Sequence, residues 1–493
     1  MARKHSVAAV CLLASLAFSV SAQDSGQTNT GESALFRGEQ LLMTGSYAAA
    51  TDIFQMADGL DRNEGLVGAS KAYAMMGNYI DAMSVVEGAI EDDEYARFPL
   101  LSTQLAEVKR AVGESKEALE ILESVVAGLA EPPVRTLVQY GSLLDFVGQK
   151  QIAFSILDQA VQRYNNGLVF ASEDVAMVAL ASWLMGNFHD ANSLFNEATR
   201  ANPNNLEAHS LWGDLFLEKY NASDAERSYQ EAIDINGRYV PALVGMANVV
   251  GDERALQRAL AINPNSIPAM ETYGQLLMVN GREEEAQDYF ERVLALNPES
   301  LKTLSVLASQ AALEERSADY QGYLAQVESF SPNNPIFLGN VADSFGNNYL
   351  FDEAVEFARA AIAADPQYWQ GYTVLGSNLI RLGEEEEGKT NLEIGYENDP
   401  FNVMTSNMLK VFDTLETYAT LESEHFKVHM SENDADVLWP YLEPLLEESW
   451  VTLTAKYGFE PEGPILIEVF EKSEDFAVRS VGLPDIGPLV GIC

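Results

Sequence analysis

The sequence has very little cysteine. Among 493 residues only Cys11 and Cys493 are present. Cys11 lies inside an N-terminal apolar run, so cleavage of a leader would leave one thiol. An internal disulfide would then be impossible, as would structural zinc sites that need two or more cysteines. We therefore expect packing alone to stabilise the fold.

Basic residues are also scarce. The chain has 30 Lys+Arg against 74 Asp+Glu, which gives a net charge of −44. A field of this sign repels phosphates and anionic lipid, so the sequence predicts no nucleic-acid partner. Apolar residues make up 47% of the chain, which is typical of a folded protein. Beyond the N-terminus, no apolar run approaches the ~18 residues of a membrane span, so no integral span is predicted.

The N-terminus is typical of an export signal. A basic start at Arg3 and Lys4 precedes an apolar run over 7–18, and small residues follow at 19–22. This pattern predicts a signal peptide over 1–22, then a flexible linker over 23–30. We expect a periplasmic or secreted bacterial protein, and cleavage would change the net charge to −46. The leader does not decide between the two locations.

Proline recurs with a fixed period. Five prolines are spaced 34 residues apart: Pro264, Pro298, Pro332, Pro366 and Pro400. Small and aromatic residues return in register with them; the segment from Ile267, for example, carries Gly274, Ala286 and Phe290. Small residues at such positions let two helices approach closely, and proline ends the second helix.

This pattern resembles the tetratricopeptide repeat (TPR) family, whose unit is a helical hairpin of 34 residues. The resemblance implies a mainly α fold over 31–418, a right-handed solenoid of about eleven hairpins with a capping helix near 403–418. Units are predicted to begin near residues 31, 63, 99, 134, 172, 206, 240, 267, 301, 335 and 369. The unit at 240 is shorter than the others.

A TPR solenoid presents a concave surface made largely by the first helix of each hairpin, and such surfaces bind peptides or partner helices. The candidate groove residues are Glu207, Ser210, Asp214, Leu217, Glu271, Gln275, Met278, Asp343 and Asn347. They are apolar and acidic, which favours a basic or apolar partner segment. The alternative is that they form a solvated face. The Lys/Asn/Arg set that clamps a C-terminal carboxylate in some TPR domains was not found.

The 34-residue rhythm ends near residue 422. Alternation over 425–430 predicts a strand with Phe426, Val428 and Met430 on one face. A helix over 434–457, interrupted by Pro440 and Pro444, a second strand over 464–470 and a short helix then follow. The sequence therefore predicts an incomplete α/β segment over 423–493.

This segment resembles the opening of a peptidase MA-like (gluzincin) zinc metalloprotease domain, through EHFKVH, KYGFEPEGPILIEVF and EDFAVRSVGLPDIG at 424–429, 456–470 and 474–487. In that family an H-E-x-x-H helix binds zinc, and this motif is absent here. His425 and His429 on one strand would lie roughly 13 Å apart, which favours a solvated strand face over a shared metal ion. Likewise, the acidic run 384–387 is read as a solvated helix start.

Three interpretations of function remain, one of which is that the C-terminal segment is only a capping module for the array. The main one is an exported TPR scaffold that binds a protein or peptide, with no catalysis, no cofactor and no metal in this chain. The alternative is the N-terminal part of a secreted or periplasmic zinc metalloprotease, with its catalytic helix and its zinc beyond residue 493. We expect the parent gene to encode more protein. The sequence does not identify the partner or the oligomeric state.

Overall fold

The computed structural model describes residues 33–91, 94–461 and 463–484. Predictions for the signal peptide and for the linker over 23–30 lie outside these residues. The described chain is a succession of α-helices followed by a small sheet, so the predicted mainly α solenoid is confirmed. Among the described residues, no helix has the length and apolarity needed to cross a bilayer.

Among the described residues, the helices of the solenoid form eleven hairpins and one further helix. The first six hairpins consist of α1 (Ala34–Met43) and α2 (Tyr47–Phe54), α3 (Arg62–Met75) and α4 (Tyr79–Glu87), α5 (Pro99–Ala111) and α6 (Ser115–Gly128), α7 (Val134–Phe146) and α8 (Lys150–Asn165), α9 (Ser172–Leu184) and α10 (Phe188–Ala201), α11 (Leu206–Glu218) and α12 (Ala222–Ile235). The next five consist of α13 (Val240–Val250) and α14 (Glu253–Ile262), α15 (Ile267–Val279) and α16 (Glu283–Leu296), α17 (Leu301–Leu313) and α18 (Ser317–Phe330), α19 (Pro335–Asn347) and α20 (Phe351–Ala364), α21 (Trp369–Arg381) and α22 (Glu385–Asn398). The further helix is α23 (Val403–Leu415), and two short 3₁₀ helices lie at Gly59–Asp61 and Tyr95–Arg97.

The loop between hairpins explains why each unit stops and restarts at the same place. Asn297 accepts a hydrogen bond from the Glu299 N–H at 2.8 Å, which turns the chain after α16. Ser300 then caps α17 by accepting from the Thr303 N–H. Asn and Ser do this because their side chains satisfy backbone donors that the helix leaves free. The repeated N-P-x-S/N sequence is therefore a combined stop and start signal.

Close helix packing depends on small residues facing rings. A Cβ on Gly274 would lie 2.5 Å from the Phe290 ring, and one on Gly213 would lie 2.5 Å from the Tyr229 ring. Both rings are fully buried. The hairpin at 240 is shorter, as predicted, because both of its helices are shortened, to 11 and 10 residues.

Successive turns of the superhelix touch one another. The Tyr47 hydroxyl donates to the Arg238 carbonyl at 3.0 Å, and the Ser331 hydroxyl donates to the Phe146 carbonyl at 2.6 Å. The separations along the chain are 191 and 185 residues. About five and a half 34-residue units therefore complete one turn. We call these bonds the turn-to-turn contacts.

The C-terminal unit is a three-stranded sheet with two helices: β1 (Ala419–Glu422), β2 (Phe426–Met430), α24 (Glu432–Tyr457), β3 (Ile465–Glu468) and α25 (Ser473–Val481). The strand order is β1-β2-β3, with β1–β2 antiparallel and β2–β3 parallel. The predicted apolar face is confirmed, since Phe426, Val428 and Met430 are buried against α24.

One detail of this prediction is wrong. Helix α24 runs through Pro440 and Pro444 without a break. Each proline removes the hydrogen bond to the carbonyl four residues earlier. Both prolines lie on the exposed side of the helix, where water can satisfy those carbonyls, so the helix continues.

The C-terminal unit packs against the end of the solenoid. Val478 of α25 is buried with Met408 and Phe412 of α23. The Asn407 side-chain amide donates to the Gly482 carbonyl at 3.3 Å. The apolar cluster and the hydrogen bond together fix the position of the sheet relative to the last hairpin.

Candidate partner-binding cavity inside the superhelix

A cavity of about 730 Å³ lies inside the first turn of the superhelix. The first helices of the hairpins contribute most of its wall. The second turn closes it through Glu207 and Tyr239. Its apolar and aromatic wall is formed by Leu42, Met43, Tyr47, Ala74, Met75, Tyr79, Val108, Ala111, Leu206 and Tyr239.

Arg135 lies at the charged centre of this wall. Its Nε is 2.6 Å from Glu107 Oε1, and its Nη1 is 2.8 Å from Glu207 Oε2. Further bonds from Nη2 to both carboxylates make the two interactions bidentate. Bidentate guanidinium–carboxylate pairs are the strongest and most directional of the ionic hydrogen bonds. They join helices α5, α7 and α11, and so they stabilise the cavity wall across the superhelix.

The ion pairs shift the pKa values of Arg135 and Glu207. Burial opposes ionisation of Glu207, but the attraction of Arg135 lowers its pKa overall. Burial likewise works against Arg135, yet Glu107 and Glu207 raise its pKa well above the ordinary value. Both side chains are therefore charged at neutral pH, so the contact between them is an ion pair.

Lys71 lies beside this group without an ion partner. Among the described residues no carboxylate is within 4.0 Å of its ammonium. Burial and then the nearby Arg135 lower the pKa of Lys71.

Two further carboxylates face the cavity from separate hairpins. Burial raises the pKa of Glu39, and repulsion from Glu64 and Glu173 adds to that rise. Glu173 accepts a hydrogen bond from the Asn202 amide at 3.2 Å, and among the described residues no cation forms a salt bridge with it. The wall thus carries four carboxylates, Glu39, Glu107, Glu173 and Glu207, against two cations, Lys71 and Arg135. The cavity is apolar with an excess of negative charge.

The candidates predicted from the sequence lie in different surroundings. Glu207 lines the cavity. Asp343 and Asn347 line a second, smaller cavity of about 70 Å³ near the C-terminal unit. Leu217 and Met278 are partly buried against neighbouring aromatic clusters, and Gln275 is half-buried.

Two of these predictions need correction. Ser210 is buried within the helix packing. Glu271 is also buried, and it accepts a hydrogen bond from the Ser300 hydroxyl at 2.5 Å. Ser300 caps the next hairpin, so Glu271 joins two units and is not open to a partner. A side chain at this helix position can face the groove in one hairpin, but at Glu271 the next hairpin covers it.

Asp214 is shielded as well. The Tyr229 hydroxyl donates to Asp214 Oδ1 at 2.6 Å. Burial raises the pKa of Asp214 to about 6, even though this hydrogen bond lowers it. A carboxyl of this kind is partly protonated near pH 6, so it contributes less negative charge than its type suggests.

Sequence reasoning missed Arg135, Glu107 and Lys71. Arg135 occupies the second position of α7, the same position that Glu207 has in α11. Glu107 is the ninth residue of α5, as Asp214 is of α11. The register used for the later hairpins would therefore have found Arg135 and Glu107 in the earlier ones.

The matches to known proteins agree with this architecture. Residues 267–300 match the family model of the tetratricopeptide repeat. At these residues the chain carries a tetratricopeptide repeat. A curated relative, the small glutamine-rich tetratricopeptide repeat-containing protein 2 of Mycosarcoma maydis, is 32% identical over 72 residues. That match covers 15% of this chain and spans only 20% of the relative's length.

Solved structures similar to the TPR solenoid include yeast Tom70 and the APC/C hetero-tetramer Cut9–Hcn1. The first has 16% identity and a TM-score of 0.35, covering 77% of this chain and 88% of the other. The second has 12% identity and a TM-score of 0.33, covering 77% and 89%. Likeness at this level says nothing about what this chain binds.

Proposed function

We propose that this TPR solenoid is a non-catalytic interaction scaffold whose interior holds an apolar peptide segment carrying a Lys or Arg side chain. The observation that carries the proposal is the acidic, apolar cavity of about 730 Å³ inside the first superhelical turn. Cavities of 300–1,000 Å³ with an apolar wall and a few polar groups are the usual binding sites of proteins. Apolar surface supplies affinity and the charges supply selectivity.

The cation of the partner would lie between Glu39 and Glu173. Glu107 and Glu207 already accept hydrogen bonds from Arg135, so their oxygens are less available to a partner. Glu39 and Glu173 repel each other across the cavity, which contributes to the raised pKa of Glu39. A cationic group placed between them removes that repulsion, and an anionic group increases it.

Selection from a random peptide library on the full chain tests the proposal. We expect selected peptides to combine apolar residues with at least one Lys or Arg. In fluorescence anisotropy the Glu39→Gln/Glu173→Gln variant should bind the selected peptide at least tenfold more weakly, with a weaker salt dependence. Glu226→Gln, on the exposed outer side of α12, is the matched control. Equal loss in the control, or selection of acidic peptides, would refute the proposal.

We also propose that the protein is exported. The basic start, the apolar run over 7–18 and the small residues over 19–22 support this. N-terminal sequencing of the protein from its natural source should give Gln23 as the first residue. Recovery of the intact N-terminus would contradict export by cleavage.

The alternative proposal is that the solenoid is the recognition arm of a secreted zinc metalloprotease. The order β2, α24, β3, α25 supports it, because it agrees with the elements expected for the opening of a peptidase MA-like domain. Mass spectrometry of the selected peptide, after incubation with protein from the natural source, separates the two proposals. A scaffold leaves the peptide intact, whereas a protease cleaves it and loses that activity with a chelator.

A further inference from the structure

Three potential metal ligands meet where the C-terminal sheet contacts the last hairpin. His429 lies in β2 and Glu468 ends β3, and the parallel register of these strands pairs the two residues. Glu385 begins α22 of the neighbouring hairpin. One donor atom from each of the three side chains lies within 4.8 Å of the other two. We call this group the junction cluster.

Two of its donor atoms are buried without a partner. His429 is only 8% exposed. Its Nε2 and the Oε1 of Glu468 have no hydrogen-bond partner among the described residues. Buried polar atoms are almost always satisfied, because an unsatisfied one costs roughly 1–3 kcal/mol. Two such atoms facing a second carboxylate, that of Glu385, form a group whose chemistry suits a bound cation.

The surrounding charges leave these atoms free for a metal ion. Arg479 Nε lies 2.7 Å from Glu468 Oε2, which holds the carboxylate in place and leaves Oε1 available. A neutral imidazole offers a nitrogen lone pair, as a metal ligand must.

We propose that Glu385, His429 and Glu468 bind one divalent transition-metal ion of the zinc class. An imidazole with two carboxylates suits Zn²⁺, whereas Ca²⁺ and Mg²⁺ prefer oxygen ligands alone. Zinc–ligand distances of about 2.0–2.2 Å require each donor to move inward by at most about 0.7 Å. The site is distinct from an H-E-x-x-H site, and its ligands come from two structural units.

A metal ion at this site would hold the solenoid and the C-terminal sheet together. Glu385 belongs to the solenoid, and His429 and Glu468 belong to the sheet. An ion bound by all three would join the units at a junction otherwise held by the packing of α25 on α23 and by hydrogen bonds such as that from Asn407 to Gly482. The metal would therefore stabilise the docked arrangement, since a ligand that binds only the folded state raises its stability.

Zinc alone is the probe for the test. The full chain is stripped with EDTA, and Zn²⁺ binding is measured by calorimetry and by metal analysis after dialysis. We expect one equivalent of zinc and a higher unfolding temperature in its presence. Co²⁺ in place of zinc should give visible absorption bands from the bound ion. Less than a tenth of an equivalent would overturn the proposal.

Variants distinguish zinc binding at the junction cluster from adventitious binding elsewhere on the chain. Glu385→Gln should weaken zinc binding at least tenfold, and because this side chain is only half-buried the fold should survive. His429→Gln and Glu468→Gln should abolish binding. Glu386→Gln, the exposed neighbour on α22, and His189→Asn, an exposed histidine, are the matched controls. Unchanged binding in Glu385→Gln, or equal loss in the controls, would also overturn the proposal.

Discussion

Lys219 and Asp399 form an ion pair of 2.6 Å across 180 residues of sequence, between successive turns of the superhelix. Their side chains are only 11% and 12% exposed, and the Lys219 ammonium also lies 3.3 Å from the centre of the Phe188 ring. This pair is a further turn-to-turn contact, in addition to those of Tyr47 and Ser331. The superhelix is thus a closed coil whose adjacent turns touch.

Removal of this ion pair should open the coil. Lys219→Met leaves Asp399 buried and unpaired, so we expect the free energy of unfolding to fall by about 3–5 kcal/mol. The hydrodynamic radius should rise as the turns separate. Asp224 and Arg227 form a surface pair of 2.7 Å and provide the control. Arg227→Met should cost less than about 1 kcal/mol. Similar losses in the two variants would contradict this role.

Gly274 should tolerate no side chain. Alanine there would force the buried Phe290 ring to move, at a cost of about 1–3 kcal/mol. Gly322 is a helical glycine in α18 with nothing near its added Cβ. Gly322→Ala should instead stabilise the protein by about 0.5–1 kcal/mol. Chemical denaturation measures both, and a gain at Gly274 would contradict the packing argument.

Glu315 holds a left-handed backbone conformation, with φ of 56°, in the turn between α17 and α18. Other hairpins place glycine at this point, such as Gly281 with φ of 70°. Glu315→Gly should therefore raise stability by about 1 kcal/mol through relief of backbone strain. Glu314→Gly, one residue earlier and at negative φ, should lower it. A higher melting temperature for Glu314→Gly than for Glu315→Gly would show that the backbone at residue 315 is not strained.

Asp214 should make stability depend on pH. Its pKa is about 6 in the folded state and 3.8 in the unfolded chain, so the folded state binds more protons between these values. The stability that the Asp214 carboxyl contributes is present below pH 3.8 and is lost as pH rises through 6. Asp214→Asn should stabilise the protein by about 1–2 kcal/mol at pH 7.5 and by nothing at pH 3.5. Asp52→Asn, on the exposed side of α2, is the control variant.

The repeat architecture could be predicted because its causes are local. Prolines every 34 residues and small residues facing rings determine each hairpin, so the predicted first helices from residue 99 onward begin where the structure has them. The turn-to-turn contacts could not be predicted. Whether Lys219 reaches Asp399 depends on a small rotation between units that accumulates over several hairpins.

The junction cluster was hidden for a related reason. His429 was expected on a solvated strand, but it is buried, because the last hairpin covers that side of the sheet. Glu385 was expected to be a solvated helix start. The interpretation of each residue used its own segment, and the cluster exists only because two separate segments dock.

The most direct test of the binding proposal is a photo-cross-linking map. The selected peptide is made with a benzophenone side chain, irradiated with the full chain, and the cross-linked residues are identified by mass spectrometry. The account predicts cross-links to cavity-lining residues, such as Leu42, Met43, Met75 and Val108. Cross-links confined to the exposed outer helices α6, α12 and α16 would contradict it.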